Sequence, residues 1–112
     1  MDPELFQSRV ATLMDRLDKA FAEIAGENDP GRISIERQGN EKLVVKVRRV
    51  GDYIFTSNAQ AQSFSLQSPQ SGVHNYTYDE ANGFWKSSVQ IHILEEILVR
   101  EFITHSKGLL SL

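Results

Sequence analysis

An α+β fold, with two helices laid on one face of a five- or six-stranded antiparallel sheet, is what three features of this chain predict. A helical apolar stripe opens the chain and a second one closes it. Between them run short period-two segments whose connections are too short for anything but antiparallel neighbours. Each helix has one apolar face and the sheet has one, so both helices cover the same face. The expected result is a two-layer α/β sandwich in the order helix, five or six strands, helix, with the other sheet face open to water.

In the first helix Phe6, Val10, Leu13, Leu17, Phe21 and Ile24 recur at helical spacing from about residue 4 to 25. At 100° per residue they fall in a stripe about 80° wide. Gly26 is read as its stop, and Glu27-Asn28-Asp29-Pro30-Gly31 as a loop. Ile33 and Ile35 mark a first strand, Leu43, Val45 and Val47 a second, with Gly39-Asn40 in the hairpin between them. Gly51-Asp52 turns into a third strand carrying Tyr53 and Phe55. Phe64 and Leu66 alternate with Ser63, Ser65 and Gln67 in a fourth strand, which ends at Ser68-Pro69-Gln70-Ser71-Gly72. There Pro69 cannot donate to a ladder and Gly72 can take positive φ. A fifth strand places His74, Tyr76 and Tyr78 on one face and Asn75 and Thr77 on the other. A short sixth, Phe84-Trp85, follows the Asn82-Gly83 turn. Ser87 or Ser88 is the expected N-cap of the last helix. Ile91, Leu94, Ile97, Leu98 and Phe102 give that helix a core face to about residue 105. The apolar tail, Leu109, Leu110 and Leu112, is expected to pack back on the domain.

The chain of 112 residues has the size of one domain, residues 1–112, without repeats or low-complexity segments. Its net charge of -3 argues against nucleic acid or an anionic membrane as partner. Cysteine is absent, which excludes disulfides, thiolate nucleophiles and cysteine-ligated clusters or zinc. No apolar run approaches the ~18–20 residues that cross a bilayer. The N-terminus has neither the apolar stretch of a secretory signal nor the Arg/Ser-rich look of a transit peptide.

Unpaired surface carboxylates can hold hard or borderline cations, because their oxygens replace water and their mutual repulsion is relieved. With Leu17 at the centre of the buried face, Asp18, Glu4 and Asp15 lie at about 100°, 140° and 160°, forming a stripe on one flank. Glu23 and Glu27 lie on the opposite flank beside Arg16 and Lys19, and Asp29 follows in the loop. Charged residues face solvent on any amphipathic helix, so this pattern alone does not define a metal site. The three histidines show no H-x-x-H or H-x-x-x-H spacing. His74 reads as a packed strand residue, His92 as preceding Glu95 and Glu96 on one helix, and His105 as lying near a helix end. There is no G-x-S-x-G elbow and no phosphate-cradling glycine loop. Lys46, Arg48 and Arg49 read as a basic run on one strand, a solvated edge without the exposed aromatics of a nucleic-acid reader.

Strand, S-P-x-S-G turn, strand with Tyr76 and a short aromatic strand form an uncommon order, and it resembles the frataxin family. Leu94, Ile97, Leu98 and Glu101 follow that family's L-x-x-L-L-x-x-E run in the second helix. The resemblance spans nearly the whole chain in element order. It implies an iron-binding accessory protein of iron–sulfur cluster biosynthesis, weakly binding Fe2+ or Fe3+, without catalytic residues of its own. Ferroxidase activity enters by resemblance only. Frataxins carry an acidic ridge along the first helix. Asp15 and Glu23 align with its acidic positions and Glu27 approximately, while Asp18 and Asp29 are acidic in the same region. Lys19 and Arg32 stand where relatives have acids, which weakens metal binding.

The family docks the cysteine desulfurase–scaffold complex through its open sheet face, using Asn and Gln on the third strand, Trp on the fourth and Arg on the fifth. Those positions here read Thr56, Asn58, Ser65 and Asn75. The implied partners are the desulfurase and scaffold proteins, with no nucleic acid and no membrane. The implied state is a monomer with iron-dependent oligomers. The implied compartment is the mitochondrial matrix or a mitochondrion-related organelle, with a bacterial cytoplasm as the alternative. The competing reading is a metal-independent interaction module using the acidic helix or the open sheet.

Overall fold

The computed structural model describes residues 1–88, 92–102, 110 and 112. The first helix, α1, runs Pro3–Gly26 with Pro3 at its start, where a missing N–H costs nothing. Its buried stripe contains the six predicted residues together with Met14 and Ala20. The exit differs from expectation. Gly26 remains in the helix, and the chain leaves through Glu27 in an ordinary right-handed conformation. The last turn is closed by Asn28, whose side-chain Nδ2 donates to the Ile24 carbonyl at 2.7 Å.

Six strands follow: β1 (Ile33–Gln38), β2 (Lys42–Val47), β3 (Gly51–Asn58), β4 (Ser63–Ser68), β5 (Gly72–Asp79) and β6 (Phe84–Ser87). They form one antiparallel sheet in chain order. The inward row across its middle, Leu43, Phe55, Leu66 and His74, is in register, and its first three members are fully buried. One-residue alternation then sends Thr56, Ser65 and Asn75 to the opposite face.

One turn departs from the sequence reading. The β2–β3 connection is made by Arg48, Arg49 and Val50, so Arg48 and Arg49 lie in a turn and not on the strand. Arg49 is left-handed there, at φ 69°, and Gly51 also takes a positive φ, 130°. Gly51 begins β3, and its lack of a side chain serves packing: a Cβ at this position would lie 2.7 Å from the Pro69 Cβ. The glycine thus lets the β4–β5 turn close over the β2–β3 turn. Gly72 takes the positive φ expected of it, 86°.

The second helix, α2, is described over Leu94–Phe102, and it buries Leu94, Ile97, Leu98, Glu101 and Phe102. Ser87 and Ser88 are not its cap. Ser87 closes β6 and donates its N–H to the His92 carbonyl, while the N–H and Oγ of Ser88 both donate to the Asn75 carbonyl. A serine that can extend a ladder does so in preference to waiting for a helix further on. His92 likewise precedes the described helix. Ile91, His105 and Leu109 lie outside the described residues. Of the tail, Leu110 is buried and Leu112 packs against the core.

Both helices cover the same sheet face. The Phe21 ring of α1 lies 5.0 Å from Phe102 of α2, which lies 4.8 Å from Tyr53 of β3. At the other end Phe6 meets Trp85 edge-on at 6.0 Å. Each such ring contributes about 1.5–3 kcal/mol by burial and about 0.5–1.5 kcal/mol more by aromatic geometry.

Candidate functional site

The acidic residues of α1 divide between two environments. Asp15 and Asp18 face β1, where Arg37 reaches both: Nη2 donates to Asp15 Oδ1 at 2.9 Å and Nη1 to Asp18 Oδ2 at 3.1 Å. Alternation explains the reach, because Ile33, Ile35 and Arg37 share the helix-facing side of β1. The same guanidinium also donates to the Gly39 carbonyl at 2.8 Å and to Asn40 Oδ1 at 2.6 Å in the β1–β2 turn. Its hydrogen bond to Asp15 is the main reason that its pKa lies above the usual arginine value, against an opposing effect of burial. Glu23, Glu27 and Asp29 are exposed. Glu23 shares a shallow depression with Arg16, Lys19, Ala20 and Leu112 on the flank turned away from Arg37. The five predicted carboxylates are therefore not gathered at one point. Among the described residues no set of three His, Asp or Glu side chains is placed to hold a metal ion together. What α1 offers a cation is hydrated, dispersed carboxylate oxygen, chemistry suited to weak binding of a hard ion.

On the open sheet face Thr56, Ser65 and Asn75 are directly in register, one polar row crossing three strands. Asn58 stands apart from it opposite Ser63, and its Oδ1 caps the following turn by accepting the Ala61 N–H at 3.0 Å. Two residues along the strands lies a second row, Val44, Ile54, Gln67 and Val73, of which the sequence reading named Ile54 and Gln67 but not Val44 or Val73. Val73 is 65% exposed. Alternation places Ile54 and Gln67 on this face, and strand register sets Val44 beside Ile54 and Val73 beside Gln67.

The second helix supplies a buried carboxylate. Glu101, 6% exposed, accepts from the Tyr53 hydroxyl at 2.9 Å and Ser68 Oγ at 2.6 Å through Oε1, and from Ser71 Oγ at 2.8 Å through Oε2. Ser68 Oγ in turn accepts the N–H groups of Gln70 and Ser71, which closes the S-P-x-S-G turn upon itself. The last-helix glutamate and the turn, both read as family marks, are thus one hydrogen-bonded assembly. Burial, reinforced by Glu101, pushes the Tyr53 phenol far above its usual range, so it remains a donor.

Ser71, His74 and Glu101 have the composition of a nucleophilic triad but not its wiring. Ser71 Oγ lies 2.8 Å from His74 Nε2 and also bonds Glu101, so the carboxylate restrains the serine and does not orient the imidazole. His92 Nε2 lies 2.9 Å from the Tyr76 hydroxyl, and its ring meets His74 edge-on at 5.6 Å. Burial first and then His74 hold the His92 pKa below the usual histidine value.

The Frataxin-like domain model matches residues 1–108. Among solved structures, a frataxin from Psychromonas ingrahamii superposes with a TM-score of 0.80 at 15% identity, covering 99% of this chain and 97% of that one. The trimeric frataxin of the yeast Saccharomyces cerevisiae, complexed with ferrous, gives 0.77 at 22% identity over 89% and 87%. The same yeast protein with its full-length N-terminus gives 0.71 at 24% over 87% and 78%. No curated protein sequence matches the chain, so the fold likeness rests on these structures and the family on the domain model. The helix, six-strand meander, helix order is that of frataxin-fold neighbours, and the domain model spans almost the whole chain: the chain belongs to the frataxin family.

Proposed function

We propose that this chain is an iron-binding accessory protein of iron–sulfur cluster biosynthesis, presenting Asp15, Asp18, Glu23, Glu27 and Asp29 to Fe2+ or Fe3+ as cargo. The domain match over residues 1–108 carries this reading. The ferrous complex of the yeast neighbour supports it, and so does the dispersed carboxylate surface of α1. Such a surface binds and releases; it does not cage. The protein needs no nucleophile or acid–base pair for this work, and its task is delivery and modulation of sulfur transfer. Its partners are the cysteine desulfurase and scaffold proteins, met by the row Thr56, Ser65 and Asn75 with Asn58 beside it. The S-P-x-S-G turn favours a mitochondrial matrix or related organelle over a bacterial cytoplasm. The protein is monomeric without iron.

Anaerobic titration with Fe2+, followed by backbone amide NMR, tests the metal reading. Shifts and broadening are expected along α1 and the following loop, reduced by salt because exposed carboxylates remain hydrated. A response centred on His74 or His92 would overturn it. Docking is tested by Ser65→Trp, which overpacks the native partner's contact and lowers affinity for it while raising affinity for a distant organism's complex. Equal affinity for both complexes, unmoved by this change or by a charge at Asn75, would remove the sheet face from the docking surface. The second reading, a metal-independent interaction module, is favoured by one observation: Arg37 already occupies Asp15 and Asp18.

A further inference from the structure

We propose that Arg37 is a built-in counter-cation that sets the threshold for metal entry at Asp15 and Asp18, and that its displacement releases the β1–β2 turn. This rests on the carboxylate reading above and adds to it which cations can enter and what moves when they do. The guanidinium already sits where a cation would. Its side chain is 24% exposed and lies against carboxylates 72% and 39% exposed, so it is the most enclosed member of the group. Three of its nitrogens are engaged: Nε with the Gly39 carbonyl, Nη1 with Asp18, and Nη2 with both Asp15 and Asn40.

A planar fork held this way is pre-organised and weakly hydrated, whereas Fe2+ or Fe3+ must shed water to replace it. The exchange also separates a monovalent cation from two carboxylates, so a multivalent ion gains most where its charge is highest. Trivalent ions therefore displace Arg37 more readily than divalent ones, and monovalent ions not at all. Displacement has a consequence away from the metal. Arg37 is the shared partner of Asp15, Asp18, the Gly39 carbonyl and Asn40 Oδ1, so its departure breaks the tie between α1 and the β1–β2 turn. Glu23, Glu27 and Asp29 are outside its reach and bind cations without this exchange.

The test uses the full chain and compares wild type with Arg37→Gln, Arg37→Lys and Arg48→Gln, titrated anaerobically with Fe2+ and separately with La3+ as a diamagnetic trivalent probe. Arg48→Gln removes the same charge from an exposed turn and controls for net charge. Amide and arginine Nε–Hε NMR signals are the readouts, with thermal melts to confirm folding. Affinity at Asp15 and Asp18 is expected to rise about three- to tenfold in Arg37→Gln, the scale of two partly exposed ion pairs. Arg37→Lys, which keeps the charge but loses the fork, should fall between, and Arg48→Gln should match wild type. In wild type, metal addition should move the Arg37 Nε–Hε signal and the amides of Gly39 and Asn40, and La3+ should do so at lower concentration than Fe2+. Metal response at Asp15 and Asp18 that is equal in wild type and Arg37→Gln, with Gly39 and Asn40 silent, overturns the counter-cation role and leaves the metal reading intact. Absence of response on α1 in every variant overturns both.

Discussion

Glu101 and Asp15 are both carboxylates on helices that pack on the same sheet face, and the protein uses them in opposite ways. Glu101 is buried, with its two oxygens accepting from the hydroxyls of Tyr53 on β3 and of Ser68 and Ser71 at the β4–β5 turn. Asp15 is 72% exposed and bonded to one arginine. A carboxylate removed from water must be fully hydrogen-bonded, and once it is, it fixes whatever bonds to it. One left in water keeps its hydration and can change partners. The contrast separates architecture from exchange within one molecule: α2 locks the S-P-x-S-G turn, and α1 displays groups that remain available.

The sharpest way to break this comparison is Glu101→Ala. It strands the buried Tyr53 hydroxyl and Ser68 Oγ, each costing about 1–3 kcal/mol, so a total loss of roughly 3–5 kcal/mol is expected from urea denaturation. Glu101→Gln should recover most of it, since its carbonyl still accepts from Tyr53 and Ser68. A loss below about 1 kcal/mol for the alanine variant would show that the assembly is not structural.

Next in size is the tail. Leu110 is 6% exposed and Arg16 donates to the Leu112 carbonyl at 2.9 Å. Deleting residues 108–112 should cost about 1.5–3 kcal/mol for the buried leucine and lower the melting temperature by several degrees. A shift under about 1 °C would mean that α2 is held by its own face alone.

A smaller effect is expected from acid. The folded state holds His92 below the ordinary histidine pKa, so the unfolded chain takes up its proton first as pH falls. The His92 contribution is therefore complete above the ordinary histidine value and is lost between that value and the lower folded one. Melting temperature should fall more steeply from pH 7.5 to 5 in wild type than in His92→Gln; parallel curves would remove the imidazole from the explanation.

The smallest is Asp15→Asn, expected to cost at most about 1 kcal/mol because exposed pairs are worth ~0.2–1 kcal/mol. A larger loss would place Asp15 with Glu101 as architecture.

Much of the fold is legible in the sequence because it is written locally. The α1 stripe and each strand's alternation need only a few neighbouring residues, and the meander follows from the short turns. The interactions that join distant residues were not legible. Glu101 reads as one member of a helical packing run, and nothing in its neighbourhood indicates that Tyr53, Ser68 and Ser71 converge on it. Arg37 reads as one charge on a short strand; only its register and the docking angle of α1 bring it to Asp15 and Asp18. The misplaced N-cap has the same origin. Ser88 looks like a helix starter from its own neighbourhood, but Asn75, thirteen residues earlier, offers it a carbonyl first. The candidate carboxylates and their two flanks were legible from helix geometry; that Arg37 pairs with Asp15 and Asp18 on one of them was not.

The strand order has a kinetic consequence. Every sheet pairing joins strands adjacent in the chain, so each hairpin can close over a short loop without waiting for a remote segment. Seating α1 against α2 is different, since Phe21 must find Phe102 across the length of the meander. Sheet formation should therefore depend little on the ends of the chain, while helix docking bears most of the closure entropy. Variants that loosen Phe21 or Phe102 should chiefly speed unfolding, and those that disturb the hairpins, such as Gly51→Ala beside Pro69, should chiefly slow folding.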